Sequence, residues 1–175
     1  MSRPRAVPCL AILVLGFVPG CGGDSSAQSP SDAGLPIVDI SGWYQVTSHL
    51  QGSCGSTQPY TLGPAYVWVE GRGSTFVARA CTGNTSADCT GTLFYDFTRP
   101  IDGGMAAEGG SAFYSAGCTL SWERAEARLA GNILSVHSLR YSVNQDIPQS
   151  DCTTTAARAL TEPCTYEVDL TASRL

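Results

Sequence analysis

The sequence predicts an all-β domain, a single antiparallel up-and-down barrel or sandwich of about eight strands that is stabilised by disulfides. Along most of residues 37–175, apolar and polar side chains alternate in short segments that are separated by turn residues. The dipeptide Gly131-Asn132 lies between two such segments, as in a two-residue hairpin. The same range contains an even number of cysteines, which is typical of a disulfide framework in an exported protein.

The first strands are predicted at residues 42–50, 65–70 and 74–81, which are rich in aromatic and β-branched residues. The second and third flank Gly71-Arg72-Gly73, so we expect a hairpin whose turn uses two or three residues. In the first strand, alternation places four side chains on one side of the pleat. These are Tyr44, Val46, Ser48 and Leu50.

The middle of the chain predicts one clear strand and two less regular ones. Residues 89–97 alternate, with Leu93, Tyr95 and Phe97 on one side. Asp102-Gly103-Gly104 then turns the chain. Two shorter strands are expected between residues 105 and 115.

Residues 118–130 and 133–143 are predicted to pair as strands, although the Glu, Arg and Ala residues of the first segment favour a helix. The Gly-Asn turn between them sets the register. In both segments the apolar residues move from one face of the strand to the other, and they do so at positions that lie opposite each other in this register. We therefore expect a long, bent hairpin. The predicted opposite pairs are Leu129–Leu134, Ala127–Val136, Trp122–Tyr141, Leu120–Val143, Glu123–Arg140 and Glu126–His137.

No catalytic residues are predicted, and we expect the protein not to be an enzyme. Glu123 and Glu126 lie on opposite faces of one strand, so they cannot act as a carboxylate pair on one substrate. Their predicted role is cross-strand charge pairing. His49 and His137 are far apart in the chain, and no serine has the Gly-x-Ser-x-Gly context of a hydrolase nucleophile.

The end of the chain predicts a short helix and one further strand. Residues 151–163 contain an Ala-containing stretch that predicts one or two helical turns. Tyr166, Val168, Leu170 and Ala172 then alternate with polar residues. This is the clearest half-buried strand in the sequence.

The charge of the chain argues against several classes of partner and chemistry. Without residues 1–20, which contain two arginines and no acidic residue, the formal net charge changes from −5 to −7. An acidic surface repels phosphate backbones and anionic headgroups, so nucleic-acid binding is not expected. The chain has no lysine, which excludes Schiff-base and Ser–Lys mechanisms. We expect no cofactor and no metal, because no cysteine spacing is of the Cys-x-x-Cys type.

The N-terminal segment predicts export. Arg3 and Arg5 precede an uninterrupted apolar run at residues 9–18, which is too short to span a bilayer. The sequence Val18-Pro19-Gly20-Cys21 that ends this run resembles the lipobox of bacterial lipoproteins. In that family the signal is removed just before the cysteine, whose thiol is joined to diacylglycerol. Ordinary signal cleavage after Gly20 or Ala27 is the alternative.

Composition predicts a flexible tether rich in Gly, Ser and Pro at residues 21–36, because this stretch has almost nothing to bury, and a β domain at residues 37–175. The lipoprotein resemblance implies a signal peptide at residues 1–20. It further implies a membrane anchor on Cys21 and a location in the bacterial cell envelope, facing the periplasm or the cell surface. That compartment is oxidising, which agrees with disulfide bonds.

Three disulfides are predicted from the positions of the cysteines. Six cysteines allow 15 connectivities. Two pairs each bracket a polar, turn-like segment, which places their sulfurs at the base of a hairpin, and this leaves one long-range pair. The predicted local pairs are Cys81–Cys89 and Cys152–Cys164, and the long-range pair is Cys54–Cys118.

A second resemblance concerns the ends of the β domain. Gly42 and Trp43 begin the first strand, and Arg174 follows the last. This arrangement resembles the lipocalin (calycin) family, in which an Arg packs over a Trp and closes one end of the barrel. The family motif is Gly-x-Trp, whereas this chain has Gly42-Trp43-Tyr44, so either Trp43 or Tyr44 can take the part. The resemblance implies a closing group of Gly42, Trp43 and Arg174, with a ligand entering the opposite mouth.

The aromatic residues of the strands can either line a ligand cavity or fill a core. The leading hypothesis is a non-enzymatic, lipocalin-like binding module for a small apolar ligand or a partner. The alternative is a structural or interaction lipoprotein that displays a rigid β domain without a cavity. A cavity of several hundred Å³ distinguishes the two. The aromatic candidates are Trp43, Tyr44, Tyr66, Trp68, Phe94, Tyr95 and Trp122, of which Trp68, Trp122, Tyr66 and Tyr95 are the predicted lining residues.

Overall fold

The chain folds into a closed antiparallel β-barrel in a computed structural model, which describes residues 34–175. The predicted signal peptide, most of the predicted tether and Cys21 lie outside the described residues. The strands are β1 (Gly42–Ser53), β2 (Ser56–Pro59), β3 (Tyr66–Arg72), β4 (Thr75–Cys81), β5 (Cys89–Thr92), β6 (Phe97–Ile101), β7 (Gly104–Tyr114), β8 (Cys118–Ala130), β9 (Ile133–Gln145) and β10 (Cys164–Arg174). The helix α1 spans Thr154–Arg158, and 3₁₀ turns lie at Ser86–Asp88 and Gln149–Asp151.

Eight strands form the ring in the order β1-β3-β4-β6-β7-β8-β9-β10, and β10 pairs with β1 to close it. The two remaining strands are short extensions, since β2 pairs with β1 and β5 pairs with β4. The prediction of an all-β domain with about eight strands is therefore confirmed, and the architecture is a barrel. We call the end where β1 begins and β10 ends the closed end, and the opposite end the open end.

The β8–β9 hairpin has the predicted register over its whole length. Leu129 lies opposite Leu134, Trp122 opposite Tyr141 and Glu123 opposite Arg140. The pairing runs without interruption from the turn to the far end. No bulge or bend is therefore needed to explain why the apolar residues change sides.

The change of side reflects two different apolar surfaces on one regular hairpin. Near the turn, residues such as Ala127 and Val136 face the barrel interior. Farther from the turn, Trp122 and Tyr141 belong to a second cluster on the outside of the barrel, which the α1 segment covers with Ala157. The interior positions at that level are polar instead, because they surround the cavity described below.

Strand β1 contains a bulge that overturns the predicted sidedness. Its pairing with β10 shifts between Val46 and Ser48. An extra residue in one strand reverses the alternation beyond it. As a result, His49 lies opposite the buried Leu170, whereas the sequence pattern had placed Ser48 and Leu50 on the side of Tyr44.

The middle of the chain is also arranged differently from the prediction. Residues 93–96 form no strand, and they connect β5 to β6. Phe94 is buried and Tyr95 is exposed, the reverse of the predicted alternation. In place of two shorter strands, residues 104–114 form the single strand β7, which pairs with β8 along its length.

The structure confirms one predicted disulfide and corrects the other two. Cys81 and Cys89 are joined, and they lie opposite each other in β4 and β5. Cys54 is bonded to Cys164, and Cys118 to Cys152, so the predicted pairs Cys54–Cys118 and Cys152–Cys164 are wrong. The reason is ring closure, which places the end of β1 beside the start of β10, so that the Cα atoms of Cys54 and Cys164 are 5.9 Å apart.

Candidate functional site

At the closed end, an arginine covers an aromatic ring as in the family arrangement, but the ring is that of Tyr44. The Arg174 guanidinium carbon lies 5.4 Å from the centre of this ring, and Nη2 donates to the carbonyl of Ser41 at 2.5 Å. The Tyr44 hydroxyl donates to the carbonyl of Ile40 at 2.8 Å, and both side chains are fully buried. Burial raises the pKa of Tyr44, with Arg174 opposing the shift.

Gly42 belongs to the closed end as predicted, whereas Trp43 does not. Gly42 has φ +140°, and a Cβ there would lie 3.2 Å from Nε of Arg174, so the conformation and the space both favour glycine. Trp43 stacks on Trp68 with ring centres 5.5 Å apart. The predicted closing role of Trp43 is therefore wrong, because the side chain of its neighbour Tyr44 is the one that points into the barrel.

At the open end, the barrel encloses a cavity of about 340 Å³. Strands β1, β4, β8, β9 and β10 form its walls, and the segment that follows β2 crosses its rim. Its main apolar lining residues are Leu62, Ala80, Leu93, Phe94, Val168 and Leu170. Its main polar lining residues are His49, Gln51, Glu123, Ser138, Arg140 and Tyr166.

A buried ion pair forms the polar side of the cavity. Glu123 is only 6% exposed, and its carboxylate accepts hydrogen bonds from Oγ of Ser138 at 3.0 Å and from Nη2 of Arg140 at 2.8 Å. The side chain of Arg140 is half exposed, at 51%. The register of β8 and β9 brings this pair together, because Glu123 and Arg140 lie directly opposite each other.

Arg140 also connects the ion pair to the aromatic rim of the cavity. Its guanidinium carbon lies 5.9 Å from the ring centre of Tyr166, whose hydroxyl donates to Oε1 of Gln51 at 2.5 Å. A continuous series of hydrogen bonds and one ring contact therefore connects Ser138, Glu123 and Arg140 on one side with Tyr166 of β10 and Gln51 of β1 on the other. We expect this array to hold its side chains in fixed orientations.

His49 is held at the rim by close packing. Its ring meets that of Tyr60 edge-on with centres 5.3 Å apart. A Cβ at position 63 would overlap Nδ1 of His49, so a larger residue there would displace the imidazole. Within residues 34–175, Nδ1 is buried and has no hydrogen-bond partner. Burial lowers the pKa of His49, so the ring is neutral at pH 7.

None of the four predicted lining residues reaches the cavity. Trp68 stacks on Trp43, and Trp122 lies in the outer cluster below Arg158, whose guanidinium carbon is 5.9 Å from its ring centre. Tyr95 is 43% exposed, and Tyr66 is also absent from the lining.

Of the seven aromatic candidates, Phe94 lines the cavity, and sequence reasoning missed the polar residues of the lining. In the predicted register, Glu123 lies on the same face of the strand as the core residue Ala127. This shared face indicated that the glutamate points inward. His49 and Gln51 had no such sign, because they face the cavity only as a result of the bulge in β1.

A different group on the barrel surface offers atoms that can hold a metal ion. One ligand atom from each of His137, Glu167 and Asp169 lies within 4.8 Å of the other two. Nδ1 of His137 is 2.8 Å from Oδ1 of Asp169 and 3.9 Å from Oε1 of Glu167. His137 lies opposite Glu126 as predicted, yet its ion-pair contacts are with β10, and Glu126 pairs with Arg128 at 2.8 Å. The expectation of no metal remains a prediction.

Comparisons of the chain with family models, curated proteins and solved structures find no match. Within the part of the chain that the structure describes, no helix is long and apolar enough to cross a membrane.

Proposed function

We propose that this protein is a lipid-anchored binding protein of the bacterial envelope, whose barrel holds a small, mostly apolar molecule in the cavity at the open end. The observation that carries the proposal is the cavity of about 340 Å³. Small-molecule pockets begin at roughly 300 Å³, and a protein cavity of about 150 Å³ accepts benzene. The space is therefore suited to a molecule about twice the size of benzene.

The anchor is supported by the sequence Val18-Pro19-Gly20-Cys21. A lipidated Cys21 carries more than one acyl chain, which stable attachment requires. Mass spectrometry of the mature N-terminus tests this part, with lipid on Cys21 as the expected result. Cys21→Ala should leave the precursor unprocessed. An unmodified N-terminus at a later residue such as Ser29 would contradict the anchor without affecting the cavity.

A rigid interaction domain without a ligand is the competing function. Such a domain is expected to have an interior filled by side chains, like the half of this barrel around Tyr44 and Met105. The unfilled space at the open end favours ligand binding instead. So does Leu62, which lines the cavity and is also 83% exposed at its rim, because it offers an apolar entrance.

Titration with the neutral dye N-phenyl-1-naphthylamine tests the binding function. The mature chain with Cys21→Ser avoids the lipid, and dye emission is the readout, because no tryptophan lines the cavity within the described residues. We expect saturable binding and a rise in melting temperature, since a ligand that binds only the folded state stabilises it. Absence of saturable dye binding, together with no rise in melting temperature with the smaller naphthalene, would refute the proposal.

Two variants and one control locate the bound dye. Ala80→Phe and Leu93→Trp each add volume at a residue that lines the cavity, and each should weaken dye binding at least about tenfold. Ala130→Phe makes the same change as Ala80→Phe at an exposed position at the end of β8. It should leave dye affinity unchanged. Equal affinities in all variants would show that the dye binds elsewhere.

A further inference from the structure

The cavity has a distinctive charge arrangement that bears on the chemistry of its ligand. The lining contains one carboxylate side chain, Glu123, and one arginine, Arg140, and the two form an ion pair at 2.8 Å. His49 is neutral there, as described above. The charge of the lining is thus balanced before any ligand enters.

The glutamate of this pair is the deeper of the two groups. Its carboxylate is almost fully buried and receives one hydrogen bond on each oxygen, from Ser138 and from Arg140. A buried carboxylate needs such partners, because removing the charge from water is costly without them. An anionic ligand at Arg140 would either displace Glu123 from its partner or place a second negative charge beside it. Both are unfavourable beside a carboxylate that is almost fully buried.

The arginine nevertheless keeps donors for a ligand. A guanidinium has five N–H groups, and within residues 34–175 the side chain of Arg140 donates one hydrogen bond, to Glu123. The side chain lines the cavity and is half exposed, so its remaining N–H groups are available to an acceptor atom that enters from the open end. The lining also includes the apolar side chains of Leu93, Phe94 and Leu170.

We infer that the cavity takes an uncharged amphiphile, an apolar body of about 10–14 carbon atoms with a hydrogen-bond acceptor such as a carbonyl, and that Glu123 excludes carboxylates by neutralising Arg140. This inference rests on the proposed function, because it specifies the ligand of the same cavity. The net negative charge of the chain acts in the same direction, since it lowers the local concentration of anions.

Three naphthalene probes that differ at one position test the inference. They are naphthalene, 2-acetylnaphthalene and 2-naphthoate, and their affinities are measured by displacement of N-phenyl-1-naphthylamine from the mature chain with Cys21→Ser. At pH 7.5 and constant ionic strength, we expect 2-acetylnaphthalene to bind at least about tenfold more tightly than 2-naphthoate. It should also bind several-fold more tightly than naphthalene, because only the ketone has an acceptor for Arg140.

Glu123→Gln is the decisive variant. Its amide can still accept a hydrogen bond from Arg140 and donate one to Ser138, but the compensating charge is gone. The affinity ratio of 2-naphthoate to 2-acetylnaphthalene should therefore rise at least about tenfold. Glu126→Gln is the matched control, because it removes the same charge from the same strand at an exposed position outside the cavity. It should leave the ratio unchanged.

The double variant with Glu123→Gln and Arg140→Gln provides a second test. It should abolish the advantage of 2-acetylnaphthalene over naphthalene, since both charged groups are removed together and no unpaired charge remains. Melting curves establish that each variant is folded.

The outcomes separate the inference from the function on which it rests. If neither the dye nor any naphthalene probe binds, the proposed function fails. If the probes bind but the wild-type chain takes 2-naphthoate as tightly as 2-acetylnaphthalene, the inference is wrong and the binding function stands. The wild-type comparison alone decides this, even if a variant does not fold.

Discussion

Each end of the barrel has an arginine over a tyrosine ring, and the two ends are nevertheless different. At the closed end, the Arg174 guanidinium carbon is 5.4 Å from the ring centre of Tyr44, and at the open end that of Arg140 is 5.9 Å from the ring centre of Tyr166. Tyr44 is fully buried, whereas Tyr166 borders a cavity of about 340 Å³. The same pair of residue types can thus accompany a filled barrel end or an open one.

The groups around each pair explain the difference. Beside Tyr44, the segment that precedes β1 inserts Ile40, whose carbonyl accepts the tyrosine hydroxyl, and the side chain of Ile40 is completely buried. Beside Tyr166, the interior positions carry Ser138 and Glu123 in place of large apolar side chains. Small and ion-paired groups leave space that aliphatic or aromatic side chains would fill. The packed apolar core therefore lies toward the closed end and the cavity at the open end.

The largest effect is expected from truncation of the closed end. Tyr44→Ala should lower the free energy of unfolding by about 3–5 kcal/mol, because it leaves a core cavity and removes the ring below Arg174. The neighbouring Trp43→Ala should cost only about 1–2 kcal/mol, since it loses a partly exposed stacking contact with Trp68. Urea denaturation of both variants measures the difference. Equal losses would show that Trp43 contributes to closure after all.

The two long-range disulfides should have similar effects on stability and different effects on binding. The double variant Cys54→Ala with Cys164→Ala removes a bridge between residues 110 apart in sequence. The double variant Cys118→Ala with Cys152→Ala removes a bridge between residues 34 apart. Each double variant should lose about 2–4 kcal/mol.

Only the first double variant should weaken binding of N-phenyl-1-naphthylamine, because Cys54 ties the β1–β2 hairpin to β10 at the open end, whereas Cys152 lies in the outer cluster. Thermal melting and dye titration of the same samples test both halves. Loss of binding in both variants to the same extent would show that the outer cluster supports the cavity as much as the Cys54–Cys164 bridge does.

The smallest effect is expected at His49, and it appears only as a dependence on pH. The pKa of His49 is lowered in the folded state by burial, so the unfolded chain binds the proton first as the pH falls. Stability should therefore decline from about pH 7 downwards through the unfolded pKa of about 6.5, and this contribution levels off below the folded pKa. His49→Gln should remove this part of the slope in urea midpoints measured between about pH 5 and 8.

The closed end provides the contrast for the pH experiment. Tyr44, whose pKa is raised by burial, does not change its charge in this range. Tyr44→Phe should accordingly shift the urea midpoint by a similar amount at every pH. An unchanged slope in His49→Gln would show that the imidazole is protonated equally in both states.

The sequence alone determined the features that depend on neighbouring residues. The β8–β9 register was predictable pair by pair, because a two-residue turn sets the register and side chains alternate with a period of two. The Cys81–Cys89 bridge was predictable for the same reason, since its two cysteines flank one short segment. The Gly42 and Arg174 positions at the closed end followed from a motif at the ends of the domain, although the ring between them is Tyr44.

Only the tertiary structure decided which residues face the cavity. The bulge that turns His49 inward exists in the pairing of β1 with β10, strands that are more than a hundred residues apart, and a one-residue shift reverses every side chain beyond it. The Cys54–Cys164 bridge depends on the same closure. Trp122 was predicted to line the cavity and instead packs under α1, because a strand of a barrel can bury either face when another segment covers the outside. Alternation identifies the two faces of a strand, and the contacts formed on closing the ring decide which of them encloses the site.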